Sequence, residues 1–246
     1  MNQMQLAEQL IEKYGDSLNN HCHLRKHCAQ DPSFFDRDYF QNGLSSGKSL
    51  YESYRWRPSL TRPLALGIQK FAGIEAGDTV VDFGCARGYL VRTLLENGID
   101  AYGIDVSLFA INNSDPLVRA RLQLIENNLL GECFNNLGIN CAKIVIAKDV
   151  FEHIPPNQLK ELLIQLRTHA KRLYVLVPLG DGGVYRISDY EEDRSHIIAE
   201  NESWWANIFE SNNFRILKFA HQVQNVKTHA LKLHPQGNGH FLLECK

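Results

Sequence analysis

The sequence predicts an α/β fold: one mostly parallel sheet with helices on both faces. Three observations carry that expectation. Short apolar runs bounded by turn residues alternate with stretches whose apolar residues recur every three or four positions. The run Thr79-Val-Val-Asp-Phe83 stops at Gly84 and gives way to a helix-compatible run from Leu90 to Glu96, with small residues at Gly84, Ala86 and Gly88 in the turn. A second strand-like run, Ala101-Tyr-Gly-Ile-Asp105, also ends in an acidic residue. A strand, a small-residue turn and a helix start bring free backbone N–H groups to one place, and α/β proteins build nucleotide pockets that way.

The 246 residues suffice for one well-buried domain with additions. A formal net charge of -2, with 22% charged residues, gives no electrostatic case for nucleic acid or an anionic membrane. No apolar run approaches the roughly 18 residues of a membrane span. The start, Met1-Asn-Gln-Met-Gln-Leu-Ala-Glu8, lacks the basic flank and apolar core of a secretory signal. The six cysteines form no Cys-x-x-Cys pair and read as reduced thiols of a cytoplasmic protein.

Taken in order, residues 3–14 place Leu6, Leu10, Ile11 and Tyr14 on one face of a helix that Gly15 ends. His21-Cys-His-Leu-Arg-Lys-His-Cys28 lacks the paired short spacings of a zinc site and reads as a polar helix end. The segment from Phe34 to Arg57 carries Tyr39, Phe40, Tyr51, Tyr54, Arg55, Trp56 and Arg57 around two glycines. It is either a cover over a pocket or a hydrophobic clasp on the domain. After Pro58, the spacing of Leu60, Leu64, Ile68 and Phe71 predicts a helix packed before the first strand.

Asp115-Pro116 is expected to start a short helix, and Leu122 to Ile125 to form a third strand. Lys143 to Lys148 is a fourth, apolar enough to be central. The next helix takes Asn157 as its cap and Leu159, Leu162, Leu163 and Leu166 as its stripe. Leu173 to Pro178 is a fifth strand, followed by a long polar stretch from Gly180 to Glu202. A helix around Trp204, Ile208 and Phe209 comes next, then two strands, Phe214 to Val223 and His240 to Cys245. In an open α/β sheet a ligand sits at the carboxyl ends of the strands. Asp82, Asp105, Asn128, Lys148 and the loop from Gly180 fall there.

Asp82-x-Gly84-x-Ala86-x-Gly88, followed by a strand ending in Asp105, resembles the S-adenosylmethionine site of the class I methyltransferases. Ala86 stands where that family more often has glycine. The phrase Lys148-Asp-Val-Phe-Glu-His-Ile154 is similar to the segment beside the methyl donor in its small-molecule members. The resemblance covers roughly residues 58–246 and implies a Rossmann-like, seven-stranded sheet with an antiparallel last strand. Residues 1–57 then form an added N-terminal helical arm that lids the cofactor. It further implies S-adenosylmethionine as cofactor, held by Asp82, Gly84, Ala86, Gly88 and Asp105, with Asn128 toward the adenine. Arg55 or Arg57 of the arm would meet the methionine carboxylate.

Transfer to a hydroxyl benefits from a base. His196, in Asp193-Arg-Ser-His196, is the first candidate, with Asp193 holding its ring; His153 is the second. Asp193-x-x-His196 before a tryptophan-bearing helix resembles methyltransferases acting on sugars and other small metabolites. The tetrapeptides Asn-Pro-Pro-Tyr and Asp-Pro-Pro-Tyr, used on nucleobase and glutamine amines, are absent after the fourth strand. The expected activity is methyl transfer to a small polar acceptor, such as a hydroxyl of a sugar or nucleotide-linked sugar, with no nucleic-acid or membrane partner. The oligomeric state is left open, a homodimer included. No metal is expected, although acidic residues between Asp181 and Asp193 could serve a divalent ion at the acceptor hydroxyls. The rival readings are a cofactor-binding partner protein without turnover, for which Ala86 and Asn128 leave room, and an NAD-linked oxidoreductase, which Asp82 and the Gly-x-Ala-x-Gly spacing disfavour.

Overall fold

The computed structural model describes residues 31–126 and 129–246. The expected first helix, the His21 to Cys28 cluster and Asn128 lie outside the described residues. Seven strands form the main sheet. They are β1 (Thr79–Phe83), β2 (Asp100–Asp105), β3 (Leu122–Leu124), β4 (Ala142–Lys148), β5 (Ala170–Pro178), β8 (Phe214–Ala220) and β9 (Asn238–Cys245). Between β5 and β8 the strands β6 (Gly180–Asp181) and β7 (Val184–Tyr185) pair as a separate hairpin. The sheet order is β3-β2-β1-β4-β5-β9-β8. β1 to β5 are parallel to one another, and β9 alone runs antiparallel, to β5 on one side and β8 on the other. The expected seven-stranded arrangement is therefore the one found.

The described helices are α1 (Arg37–Gln41), α2 (Gly43–Ser46), α3 (Pro58–Ala72), α4 (Tyr89–Glu96), α5 (Leu108–Asn112), α6 (Leu130–Asn136), α7 (Pro156–His169), α8 (Glu202–Ser211) and α9 (Thr228–Leu233). The period-two alternation of the central strands sorts their side chains onto two cores. Val145 and Ala147 of β4, with Leu173 and Val175 of β5, face Phe134, Leu163, Trp205 and Phe209 from α6, α7 and α8. Ile144 and Ile146, with Tyr174 and Leu176, face Ile68 and Leu94 from α3 and α4. Both faces of a parallel sheet are thus covered, and its inner strands are for that reason apolar almost throughout.

Three local expectations differ from the structure. Asp115-Pro116 starts no α-helix. The helix there is α5, whose first turn is capped by Ser107 Oγ accepting from the Ala110 N–H at 3.0 Å, and Arg119–Arg121 form a 3₁₀ turn. α7 begins at Pro156, whose missing N–H costs nothing in a first turn, so Asn157 is inside the helix and caps nothing. The polar stretch after β5 contains the β6–β7 hairpin, turned by Gly182 (φ +58°) and Gly183 (φ +86°).

Gly67 marks a close approach of α3 to the segment that follows β8. A Cβ there would lie 2.2 Å from the Gln224 carbonyl oxygen and 2.9 Å from Val226 Cγ2. Glycine to alanine inside a helix ordinarily stabilises. Here we expect Gly67→Ala to lower the free energy of unfolding by about 1–3 kcal/mol, an overpacking cost, measurable by urea denaturation.

Candidate functional site

The turn after β1 is built on β2. The N–H groups of Gly84 and Cys85 both donate to the Ile104 carbonyl, at 2.8 and 3.1 Å. Asp105, 8% exposed at the end of β2, closes the arrangement: Oδ2 accepts from the Ala86 N–H at 2.7 Å and Oδ1 from the Ser107 N–H at 2.7 Å. Burial raises its carboxyl pKa, against the lowering effect of those N–H groups. Gly84 and Gly88 have φ of +80° and +79°, and a Cβ on Gly84 would run into Val150 at 2.3 Å. Ala86 holds φ of +49°, the left-handed region that disfavours a side chain. The alanine therefore carries a backbone cost, independent of any ligand, that composition did not reveal.

Beside this turn opens a pocket at the carboxyl edge of the sheet. Phe83, Gly84, Ala86, Ile104, Asp105, Val106 and Ile125 line it, with Val150 and Leu162. The same pocket reaches Asp149 and His153 after β4, and Pro32, Phe35, Tyr39, Phe40 and Tyr51 of the arm. Among the described residues, none fills the crevice between β1 and β2 with its side chain. The arm is fixed to it by rings and hydrogen bonds. Tyr54 packs on Tyr89 and Phe40, with centroids 5.4 and 5.6 Å apart. Arg87 Nη1 donates to the Tyr54 carbonyl at 2.9 Å. Tyr39 Oη donates to Asp193 Oδ2 at 3.1 Å, joining the arm to the loop after β7. Arg55 and Arg57 are exposed and do not line the pocket, so neither arginine stands where a cofactor carboxylate was expected. Arg87, inside the turn motif itself, is the arginine that ties arm to turn.

Asp82 is 4% exposed and lies next to the turn rather than on the pocket wall. Burial pushes its carboxyl up to about 7, with Lys148 lowering and Asp105 raising it. Lys148 is likewise off the pocket wall: its Nζ pairs with Asp149 Oδ2 at 2.6 Å. Lys227, from the segment before α9, reaches Asp149 Oδ1 at 2.6 Å and accepts no role in the sequence reading. The half-buried Asp149 carboxyl, although desolvation raises it, is held well below the usual carboxylate range by the two ammonium groups beside it.

Of the three catalytic candidates only His153 lines the pocket. His196 is 6% exposed, and its ring centroid lies 4.8 Å from that of His153, one ring removed from the space. Burial, then His153, pushes it down to about 3, too weak a base for a hydroxyl near neutrality. Nor does Asp193 hold the ring. His196 Nδ1 donates to the Tyr190 carbonyl at 2.9 Å, while Asp193 accepts from Tyr39 and from the Ser195 N–H at 2.9 Å. Burial lowers the His153 ring as well. Against His153 and His196 sits Glu152, fully buried, whose carboxyl burial and Asp149 raise well above its ordinary value. These three residues can each offer a donor atom, all within 4.8 Å of one another. The sequence led to the expectation of no metal and left room for a divalent ion only at the acidic residues between Asp181 and Asp193; among the described residues the three donors gather here instead. The clue was Glu152 preceding His153, but only the fold adds His196.

A glycine-turned strand–helix unit, an acidic end to the second strand and a pocket at the carboxyl edge define a nucleoside-binding α/β protein. A family model described as "Methyltransferase domain" matches residues 55–219, and the chain belongs to that family. A search of curated protein sequences found no match. Among solved structures the chain is similar to a SAM-dependent methyltransferase from Archaeoglobus fulgidus, with 15% identity and a TM-score of 0.57 over 76% of this chain and 96% of that one. It is also similar to the 1,6-didemethyltoxoflavin-N1-methyltransferase of Burkholderia thailandensis, whose structure holds S-adenosylhomocysteine (15% identity, TM-score 0.55, 76% and 79% covered). CalO1, a methyltransferase of calicheamicin biosynthesis in an S-adenosylhomocysteine-bound form, shares 16% identity at a TM-score of 0.53, over 76% of this chain and 54% of its own. These likenesses establish the fold. Among the described residues no helix is long and apolar enough to cross a membrane.

Two outcomes follow from the strained and buried groups of the turn. Ala86→Gly relieves a left-handed φ, and we expect it to raise the unfolding free energy by about 0.5–1 kcal/mol, net of the entropy a glycine adds to the unfolded chain. Asp82 binds its proton more tightly folded than unfolded, so its contribution is full at low pH and is lost as pH rises through about 7. The stability of the native protein relative to Asp82→Asn should accordingly fall between pH 4 and 7, by at most about 1.4 kcal/mol per pH unit. Paired denaturation curves across that range measure it.

Proposed function

We propose that this protein transfers a methyl group from S-adenosylmethionine to a hydroxyl of a small polar metabolite, a sugar or nucleotide-linked sugar in type. The observation that carries the reading is one continuous pocket lined both by Gly84, Ala86 and Asp105 and by Tyr39, Asp149 and His153. S-adenosylmethionine, the cofactor of this reaction, supplies a methyl group made electrophilic by its sulfonium. The chain's own residues do the rest. The Asp105 carboxylate uses one lone pair of each oxygen on the loop N–H groups and keeps others for a ribose diol. Val106, Ile125 and Leu162 form apolar walls suited to a flat base. The buried, anionic form of Asp82 gains a counter-charge when a cation occupies the crevice.

The arm's Phe35, Tyr39, Phe40 and Tyr51 exclude water from the remaining side, where displacement at a sulfonium carbon needs alignment above all. In this reading residues 1–57 act as the lid, and Tyr39, Asp149 and His153 border the acceptor. The small-molecule methyltransferases among the structural neighbours lend support to the acceptor class, and one of them, the mitomycin 7-O-methyltransferase MmcR, acts on oxygen.

Calorimetry with S-adenosylhomocysteine should give a dissociation constant in the micromolar range, on the order of 8 kcal/mol of binding free energy. Asp105→Ala should weaken it by about tenfold or more, since a hydrogen-bonded charged group leaves both the ribose and two loop N–H groups unpaired. Absence of binding by the native protein would end this reading. A labelled methyl group appearing on nitrogen or sulfur, rather than oxygen, across an acceptor panel would end the hydroxyl assignment.

A further inference from the structure

We propose that Glu152, His153 and His196 hold a first-row divalent cation beside the acceptor region of the pocket, and that this ion activates the acceptor hydroxyl. The inference rests on the methyltransferase reading for its chemistry, but the site itself stands on geometry. The 3₁₀ turn Phe151–His153, directly after β4, presents Glu152 and His153 in succession. The chain returns to it after β7: the Ile197 and Ile198 N–H groups donate to the Glu152 carbonyl at 2.8 and 3.2 Å, which seats His196 against the turn. The His196 Nε2 lies 3.9 Å from Glu152 Oε1, and a donor atom from each of the three residues falls within 4.8 Å of the others. An ion bound at about 2.1 Å from each would draw them together by roughly an ångström.

Two observations point to a ligand. Among the described residues, both carboxylate oxygens of Glu152, which is fully buried, have no hydrogen-bond partner, and neither has the buried Nδ1 of His153. Buried polar groups are almost always satisfied, so orphans on two residues of one small cluster call for something to meet them. Secondly, His196 is oriented as an outer-sphere-supported ligand. The Tyr190 carbonyl can only accept, so Nδ1 must carry the proton and Nε2 the lone pair, on the side of Glu152. Asp149, the neighbouring carboxylate, is excluded from the ligand set because Lys148 and Lys227 occupy its two oxygens.

Two imidazoles and one carboxylate favour Mn2+, Co2+ or Zn2+ over Mg2+ and Ca2+, which prefer all-oxygen surroundings. Three protein donors leave coordination positions open, enough for a hydroxyl and an adjacent oxygen of a sugar-type diol. The ion lowers the pKa of that hydroxyl and points its oxygen. The step balances: the oxygen–carbon bond forms as the carbon–sulfur bond breaks, the sulfonium leaves as a neutral thioether, and the hydroxyl proton passes to water.

The test uses the full chain, stripped with a chelator, and follows Mn2+ by loss of its free electron paramagnetic resonance signal. S-adenosylhomocysteine binding is measured in parallel. We expect one Mn2+ per chain, displaced by Zn2+ or Co2+ and by Mg2+ only at much higher concentration. Glu152→Gln and His196→Ala should each weaken Mn2+ binding by about tenfold or more, with S-adenosylhomocysteine affinity retained as evidence of folding. A native protein that binds S-adenosylhomocysteine but none of Mn2+, Co2+ or Zn2+ at a defined stoichiometry overturns the metal site, whatever the variants do. Unchanged Mn2+ binding in folded Glu152→Gln overturns it too. Stoichiometric metal without S-adenosylhomocysteine binding upholds the site and removes the methyl-transfer role assigned to it.

Discussion

The carboxylate of Asp105 takes the Ala86 N–H on one oxygen and the Ser107 N–H on the other, each at 2.7 Å. Two loops that are remote in sequence are thereby fixed to one buried charge at the end of β2. The turn after β1 cannot relax away from the pocket, and Ser107 is set to cap α5. Ser107 also donates its hydroxyl to the Phe35 carbonyl, so the same junction receives the arm. A buried carboxylate is stabilised by donated N–H groups, and here one of the donors, Ala86, itself lines the pocket. Geometry at the crevice therefore depends on a hydrogen-bonded charge more than on the glycines that flank it.

A second polar centre organises the Asp149 side of the pocket. Asp149 has φ of +55°, an unusual conformation for a side-chain-bearing residue, and its carboxylate joins Lys148 to Lys227. Lys227 continues to Tyr190 Oη at 2.9 Å, and Tyr190 presents its carbonyl to His196. Strand β4, the loop after β7 and the segment before α9 are thus linked through charge-assisted contacts in a region of low exposure, where such contacts are strong and their omission costly. The arm joins the same assembly through Tyr39 and Asp193. One consequence is that Asp193 serves the architecture around the pocket, while His153 meets the space itself.

The strands and the turn on which the proposed cofactor site stands were largely legible in the sequence, because they are local. Gly84, Ala86 and Gly88 sit within a few positions of one another, and a strand that ends at Asp105 is visible as an apolar run with an acidic stop. What such a pattern conceals is detail set by neighbours. Ala86 turned out to hold a positive φ, and Lys148 faces Asp149 rather than the pocket. Arg55 and Arg57 could be located in an arginine- and aromatic-rich arm but not oriented, since exposure is decided by what the arm packs on. Lys227 gave no signal at all: a lysine in a polar segment becomes a half-buried partner of Asp149 only once the sheet has formed.

The sequence by itself determined the alternation of strands and helices, the two apolar cores and the small-residue turn after β1, because each follows from periodicity and short-range backbone chemistry. Tertiary structure alone decided that Glu152, His153 and His196 converge. It also decided that Asp193 answers Tyr39 instead of His196, and that the arm closes one side of the pocket. Those contacts join residues tens to more than a hundred positions apart, and no local spacing encodes which buried polar groups meet once the sheet has formed.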